Sequence, residues 1–205
     1  MESIPENKKL QTIWKLVVTG ALGALAVFLG ITRLGLIPWV TGASITVLHI
    51  PAIIGAILEG PLIGAGIGAI FGIFSLIQAN ITPVGIDMAF RNPLVSVVPR
   101  ILFPIVTWAI YRALGKNHKV PAVFVASILG TVVHTILVLG ALVLTNGSGI
   151  LTGNVEGVTI WAVVGAIFVA NGIPEAIAAG LFASLVVAAR LGVSSRNGKS
   201  RLSGE

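Results

Sequence analysis

The chain has no cysteine in 205 residues. That excludes a disulfide framework, a thiolate metal site, an iron–sulfur cluster and a cysteine nucleophile, and leaves the redox compartment unread. Charge is scarce as well, since Asp, Glu, Lys and Arg make up 10% of the residues. No Gly-x-Ser-x-Gly, no glycine-rich loop ending in Gly-Lys-Ser/Thr and no His-Glu-x-x-His occurs, so a serine-hydrolase elbow, a nucleotide-binding loop and a zinc-protease helix are all missing. The expectation is a non-catalytic protein with no cofactor and no metal site. What the chain does have is apolar surface: 56% of residues are hydrophobic and the mean hydropathy is +1.03. A soluble domain of this size still exposes much of its area and cannot hide that proportion. Lipid is therefore the solvent for most of the chain.

A membrane helix needs about 20 mainly apolar residues. Segments separated by Gly, Pro or charge place spans at 14–32, 43–58, 62–79, 93–111, 121–145 and 159–189, which predicts an all-α, six-helix bundle. The second span is short and the last is long, with Gly172-Ile-Pro174 a natural place for a bend. An even count puts both termini on one side. Lys8, Lys9, Lys15, Arg112, Lys116, Lys119, Arg190, Arg196, Lys199 and Arg201 all flank that side, which makes it cytoplasmic. The net charge of +6 is thus a topology signal and implies no nucleic-acid partner. Residues 1–13 read as a cytoplasmic lead, 14–190 as the membrane domain and 191–205 as a basic, disordered cytoplasmic tail. The first span is a retained helix, because its apolar run continues past any signal-cleavage site. Outer connections at 33–42, 80–92 and 146–157 are rich in Gly, Pro, Asn and Thr and read as loops. The sequons at Asn80 and Asn146 matter only in a eukaryotic secretory setting.

Gly60, Gly64, Gly68 and Gly72 recur every fourth residue and strip one face of the third helix for close approach of a neighbouring backbone. The first helix carries two further small-residue pairs, Gly20 with Ala24 and Ala26 with Gly30, which suit internal packing or docking of another membrane protein.

Ionisable groups at membrane depth face a cavity, a partner or each other. Arg100 lies inside the fourth span, Glu175 inside the sixth, and His49 and His134 inside the second and fifth. Asn171 and Glu175 are four apart and share a helical face, where an amide and a carboxylate would meet a small polar molecule. Alternatively, Glu175 pairs with Arg100 as a structural ion pair. Arg100 carries a fork of donors matched to a carboxylate or phosphate. Arg91 and Asp87 are positioned to pair on the surface. Each histidine also reads as a satisfied interior hydrogen bond, since no partner at metal-ligand spacing accompanies it.

The run His49-Ile-Pro-Ala-Ile-Ile-Gly-Ala-Ile-Leu-Glu-Gly-Pro-Leu-Ile-Gly64, continued by Gly66-Ile-Gly-Ala-Ile-Phe-Gly-Ile-Phe-Ser75, resembles the substrate-binding S components of energy-coupling factor (ECF) vitamin transporters. Asn92-Pro-Leu-Val-Ser-Val-Val-Pro-Arg100 looks like one branch of that group. The resemblance implies a six-helix subunit of a prokaryotic cell membrane that captures a vitamin from outside. A membrane coupling protein and two ATPase subunits would then drive release inward. It also implies an Ala-x-x-x-Ala docking pattern on the first helix, matched here by Gly20-Ala-Leu-Gly-Ala24 with Gly in the first place. Within that frame the candidate substrate-binding residues are Arg100, Asn171 and Glu175, then Asn80, Arg91, Asn92, His134 and Trp161, and the docking residues are Gly20 and Ala24. Pantothenate is the leading substrate, with riboflavin and cobalamin as alternatives. A different class of answer is a self-sufficient secondary transporter or ion pathway built on Arg100, Glu175 and the histidines. An intramembrane enzyme is a third.

Overall fold

The computed structural model describes the backbone of residues 6–37, 45–81, 85–114, 119–152 and 159–202, and the side chains of 8–36, 45–81, 88–114, 120–145 and 159–190. Nearly all of this is helix. α1 spans Glu6–Ile31, α2 Ile50–Glu59, α3 Pro61–Ile81, α4 Pro93–Ser96, α5 Val98–Leu114, α6 Lys119–Thr152, α7 Ile160–Ile167 and α8 Ile173–Leu202. Among the described residues, five helical runs are long and apolar enough to cross a bilayer: Lys8–Ile31, Pro61–Ile81, Pro93–Leu114, Val120–Thr145 and Ile160–Arg190.

The expected second span at 43–58 differs. Its helix has ten residues, about 15 Å long at 1.5 Å per residue, half of a hydrocarbon core of about 30 Å. Ile45–Thr46 is instead a short strand, β2, antiparallel to β1 at Leu36–Ile37, with Leu36 opposite Thr46. β-Branched residues at 45–47 favour extended backbone, and hydropathy does not separate an apolar strand from an apolar helix. Pro51 stands in the first turn of α2, where its missing N–H leaves no bond unmade. Every residue from Ile50 to Ile57 is buried, as expected of a helix apolar all round. α2 is thus a core helix flanked by α1, α3, α5 and α8. At its far end Glu59 accepts from Trp14 Nε1 at 3.3 Å and pairs with Arg190 at 2.9 Å, tying α1, α2 and α8 together.

Gly60 joins α2 to α3 in a single residue. Its φ of +105° lies in a region that L side chains rarely adopt, and its N–H closes α2 on Ala56 O at 3.0 Å. The other three members of the glycine ridge do what their spacing predicts. A Cβ on Gly64 would meet Ala56 and Pro104, one on Gly68 would meet the Arg100 carbonyl oxygen, and one on Gly72 would lie 2.8 Å from Ser96 O. Bare backbone on α3 therefore lets α4 and α5 seat directly against it.

Three expected boundaries move. α1 begins at Glu6, inside the segment read as a lead. The backbone of α6 continues to Thr152, through part of the loop expected at 146–157, and α8 continues to Leu202, into the stretch expected as a tail. Hydropathy marks where lipid contact ends, and a helix runs beyond that point when its backbone bonds are satisfied. The side chains of 146–158 and 191–205 lie outside the described residues, as do those of Asp87 and the sequon at Asn146. The bend expected near Gly172 appears as a π-helical turn at Phe168–Gly172, in which Ile173 N–H reaches back five residues to Phe168 O. Pro174, next in sequence, has no N–H to continue the ordinary ladder.

Candidate functional site

Buried polar side chains gather where the starts of α2, α5 and α8 meet the middle of α6. Arg100, His134, Asn171 and Glu175, predicted from three different stretches of sequence, are each 6% exposed or less, and fully buried His49 joins them. This cluster and the Trp14–Glu59–Arg190 tie occupy opposite ends of α2.

The placement of Arg100 follows from two prolines. In a continuous helix residue 99 would donate to the Val95 carbonyl, but Pro99 has no N–H. The helix is interrupted at Val97, and an Nη1–H of Arg100 donates to the freed Val95 oxygen. Pro104 releases the Arg100 carbonyl in the same way, and that oxygen is the one that lies over Gly68. The guanidinium carbon stands 4.8 Å from the centre of the Phe90 ring and 5.5 Å from that of Phe71, within cation–π range. Nε of Arg100 has no hydrogen-bond partner among the described residues.

The two histidines stack. Their ring centres are 5.5 Å apart at 21°, and His134 also lies 4.6 Å from the Phe103 ring and 6.4 Å from that of Phe71. Thr131 fixes the orientation of His49. Its hydroxyl donates to Ser127 O at 2.9 Å, which uses its one proton, so at 3.1 Å from His49 Nε2 it accepts. The interior hydrogen bond expected of His49 is therefore present. That expected of His134 is not, since neither of its ring nitrogens has a partner among the described residues.

Glu175 receives the backbone N–H of Thr46 on Oε1 at 2.7 Å. A carboxylate on α8 thereby holds the β1–β2 hairpin, whose Leu48 N–H is turned back onto Thr46 Oγ1 at 3.3 Å. Arg100 and Glu175 form no ion pair with each other; the pair among the described residues is Arg190 with Glu59. Asn171 lies four residues before Glu175 within the π-helical turn, and both are buried. The neighbouring Gly172 has its Cα face toward Thr135.

The remaining candidates are less buried than this cluster. Trp161 is 71% exposed. Asn80 is exposed and donates to Leu76 O of its own helix at 2.8 Å. Asn92 caps α4, accepting from Leu94 N at 3.0 Å. Arg91 is exposed, and its Nε donates to Ala79 O at 3.2 Å. On α1, Gly20 and Ala24 face outward, and nothing lies within 4 Å of a Cβ built on Gly20. The offset residues Gly23, Ala26 and Gly30 are buried, Gly23 against Ile70 and Gly30 against Phe74 and Leu48. Thr46, Thr131, Phe71, Phe90 and Phe103 also belong to the cluster, though their residue types are ordinary in apolar stretches. Only Pro99, directly before the buried arginine, carried a readable signal.

A family model described as ECF transporter, substrate-specific component, matches residues 14–187. The pantothenic acid transporter PanT of Lactococcus lactis subsp. cremoris (strain MG1363) is 28% identical over 165 residues, covering 74% of this chain and 80% of that protein. The pantothenate transporter PanT of Leuconostoc mesenteroides subsp. mesenteroides is 33% identical over 99 residues, 48% of each chain.

Proposed function

Because this chain belongs to the substrate-specific components of ECF transporters, the family matched over residues 14–187, we propose that it captures pantothenate through the buried cluster around Arg100. A member of this family is a non-catalytic, multi-pass membrane subunit that binds a vitamin for an ATP-driven partner module. On the present reading that module is one membrane coupling protein and two ATPase subunits.

Arg100 carries the choice of substrate. Arg100 is 5% exposed, and among the described residues no carboxylate stands at ion-pair distance from its guanidinium. A buried cation is costly unless an anion joins it. Pantothenate supplies a carboxylate at one end and an amide and hydroxyls along the rest, which suit Asn171, Glu175 and His134. Two relatives are named for transporting that vitamin. Asn80, Arg91, Asn92 and Trp161 would serve at the entrance rather than in the cluster.

The topology that fits this role has six membrane helices, with α2 counted as the short second one. Both termini are cytoplasmic, in the cell membrane of a prokaryote. Residues 14–190 form the membrane domain, flanked by cytoplasmic segments at 1–13 and 191–205. Gly20 and Ala24 then form an outward-facing small-residue surface on which the coupling protein docks, which the open space at Gly20 supports.

Calorimetry on the detergent-purified chain tests the proposal, with pantothenate, riboflavin, cobalamin, folate, thiamine, niacin and biotin as ligands. The expected result is saturable binding of pantothenate alone, reduced at least about a hundredfold by Arg100→Ala, as for a lost charged contact. Tight binding of another vitamin, or pantothenate binding indifferent to Arg100, overturns it.

A further inference from the structure

His134 presents a second chemistry within the cluster. It is 4% exposed, lies midway along α6 and has no hydrogen-bond partner for Nδ1 or Nε2 among the described residues. Its ring is enclosed by Phe103, Phe71 and the flat face of His49. In such surroundings a phenyl ring would pack as well and leave no polar atom unpaired, and buried polar atoms in native proteins are otherwise almost always hydrogen-bonded.

We infer that His134, stacked on His49, reads an uncharged hydroxyl of the substrate at a pole separate from the anion-binding pole at Arg100. The inference rests on the reading of the chain as a pantothenate-capture subunit and specifies how that substrate lies. The two poles stand against one shared wall. The Phe71 ring is 5.5 Å from the Arg100 guanidinium carbon and 6.4 Å from the His134 ring centre. Arg100 offers donors only, whereas an imidazole can offer a donor and an acceptor together, the complement of a hydroxyl. His49 acts as a positioning residue: its Nε2 is spent on Thr131, and its ring is the platform that orients His134. The substrate carboxylate therefore goes to Arg100 and its hydroxyl end to the His134 imidazole.

The test is a crossed comparison on the full-length protein in detergent. Three ligands are titrated by calorimetry. They are pantothenate, N-(3,3-dimethylbutanoyl)-β-alanine, which keeps the carboxylate, amide and branched carbon skeleton but has no hydroxyl, and panthenol, which keeps the hydroxyls but has an alcohol in place of the carboxylate. The wild type should prefer pantothenate over each analogue by about tenfold or more. His134→Phe should lose the preference over N-(3,3-dimethylbutanoyl)-β-alanine while keeping the preference over panthenol, and Arg100→Ala should do the reverse. Without ligand, His134→Phe should melt no lower than the wild type, since an unpaired polar ring is replaced by an apolar one. The inference is overturned if the hydroxyl preference survives in His134→Phe, as it would if the ring served only a water molecule. It is equally overturned if that variant melts lower and weakens all three ligands in proportion, as a purely structural residue would. Absence of pantothenate binding by the wild type overturns the capture reading and this inference with it.

Discussion

Arg100 shows how a residue can be positioned by what its neighbour lacks. Pro99 withholds an N–H from Val95 O, and the guanidinium occupies that oxygen. Pro99→Ala restores the competing donor, so the arginine should lose its tether while the helix gains a bond. Pantothenate affinity is expected to fall about fivefold to tenfold, the worth of one displaced hydrogen bond, with melting temperature unchanged or raised. In the double variant with Arg100→Ala, Pro99→Ala should add no further loss; an additive loss in calorimetry would show that the proline acts elsewhere. Arg100, His134, Asn171 and Glu175 were legible in the sequence because polar groups stand out inside apolar runs, where lipid tolerates none without a purpose. Thr46, Phe71 and Phe103 were not, since a threonine and phenylalanines inside expected spans are ordinary there and only packing gives them a role. Asn80, Asn92 and Trp161 stood out equally but lie outside the cluster, Asn92 as a helix cap and Trp161 on the exposed face of α7.

At the scale of elements, the contact between α3 and α5 depends on Gly68. A methyl group there would strike the Arg100 carbonyl oxygen, which is backbone and cannot swing aside. Gly68→Ala should destabilise the fold by about 1–3 kcal/mol, as overpacking does, and weaken substrate binding because the same peptide carries Arg100. Gly20→Ala meets nothing within 4 Å and should be neutral or slightly stabilising through helix propensity. Thermal melts of the two variants in one detergent check the contrast; equal shifts would contradict the packing described. The four-residue glycine period made this contact visible beforehand, because spacing is what places residues on one face. The shortness of α2 and the β1–β2 hairpin were hidden. Hydropathy scores the 43–58 stretch by composition, which is alike for a buried helix, a strand and a lipid-facing span.

For the whole molecule, capture and transport should separate. The reconstituted chain alone should bind pantothenate without accumulating it, and uptake should appear only with the coupling protein and ATPases present. Gly20→Leu should abolish uptake while leaving affinity unchanged, since the residue is far from the cluster along α1 and faces outward. Radiolabelled uptake beside a binding isotherm reads both; transport by the chain alone would favour a self-sufficient pathway. Composition made the membrane setting legible, and the motif runs at 49–75 and 92–100 made the family legible, whereas the union of distant segments at the cluster is a product of tertiary packing. One such union joins residues 129 apart in the chain, the bond from Thr46 N–H to Glu175. A single amide proton thereby becomes a clock for the hairpin: its exchange with deuterium is slow while the carboxylate holds it and quickens when the hairpin lifts. A ligand that takes Oε1 for itself speeds that clock, and one that settles beneath a closed hairpin slows it. The sign of the change tells whether the protein admits its cargo by loosening this strap or by tightening it.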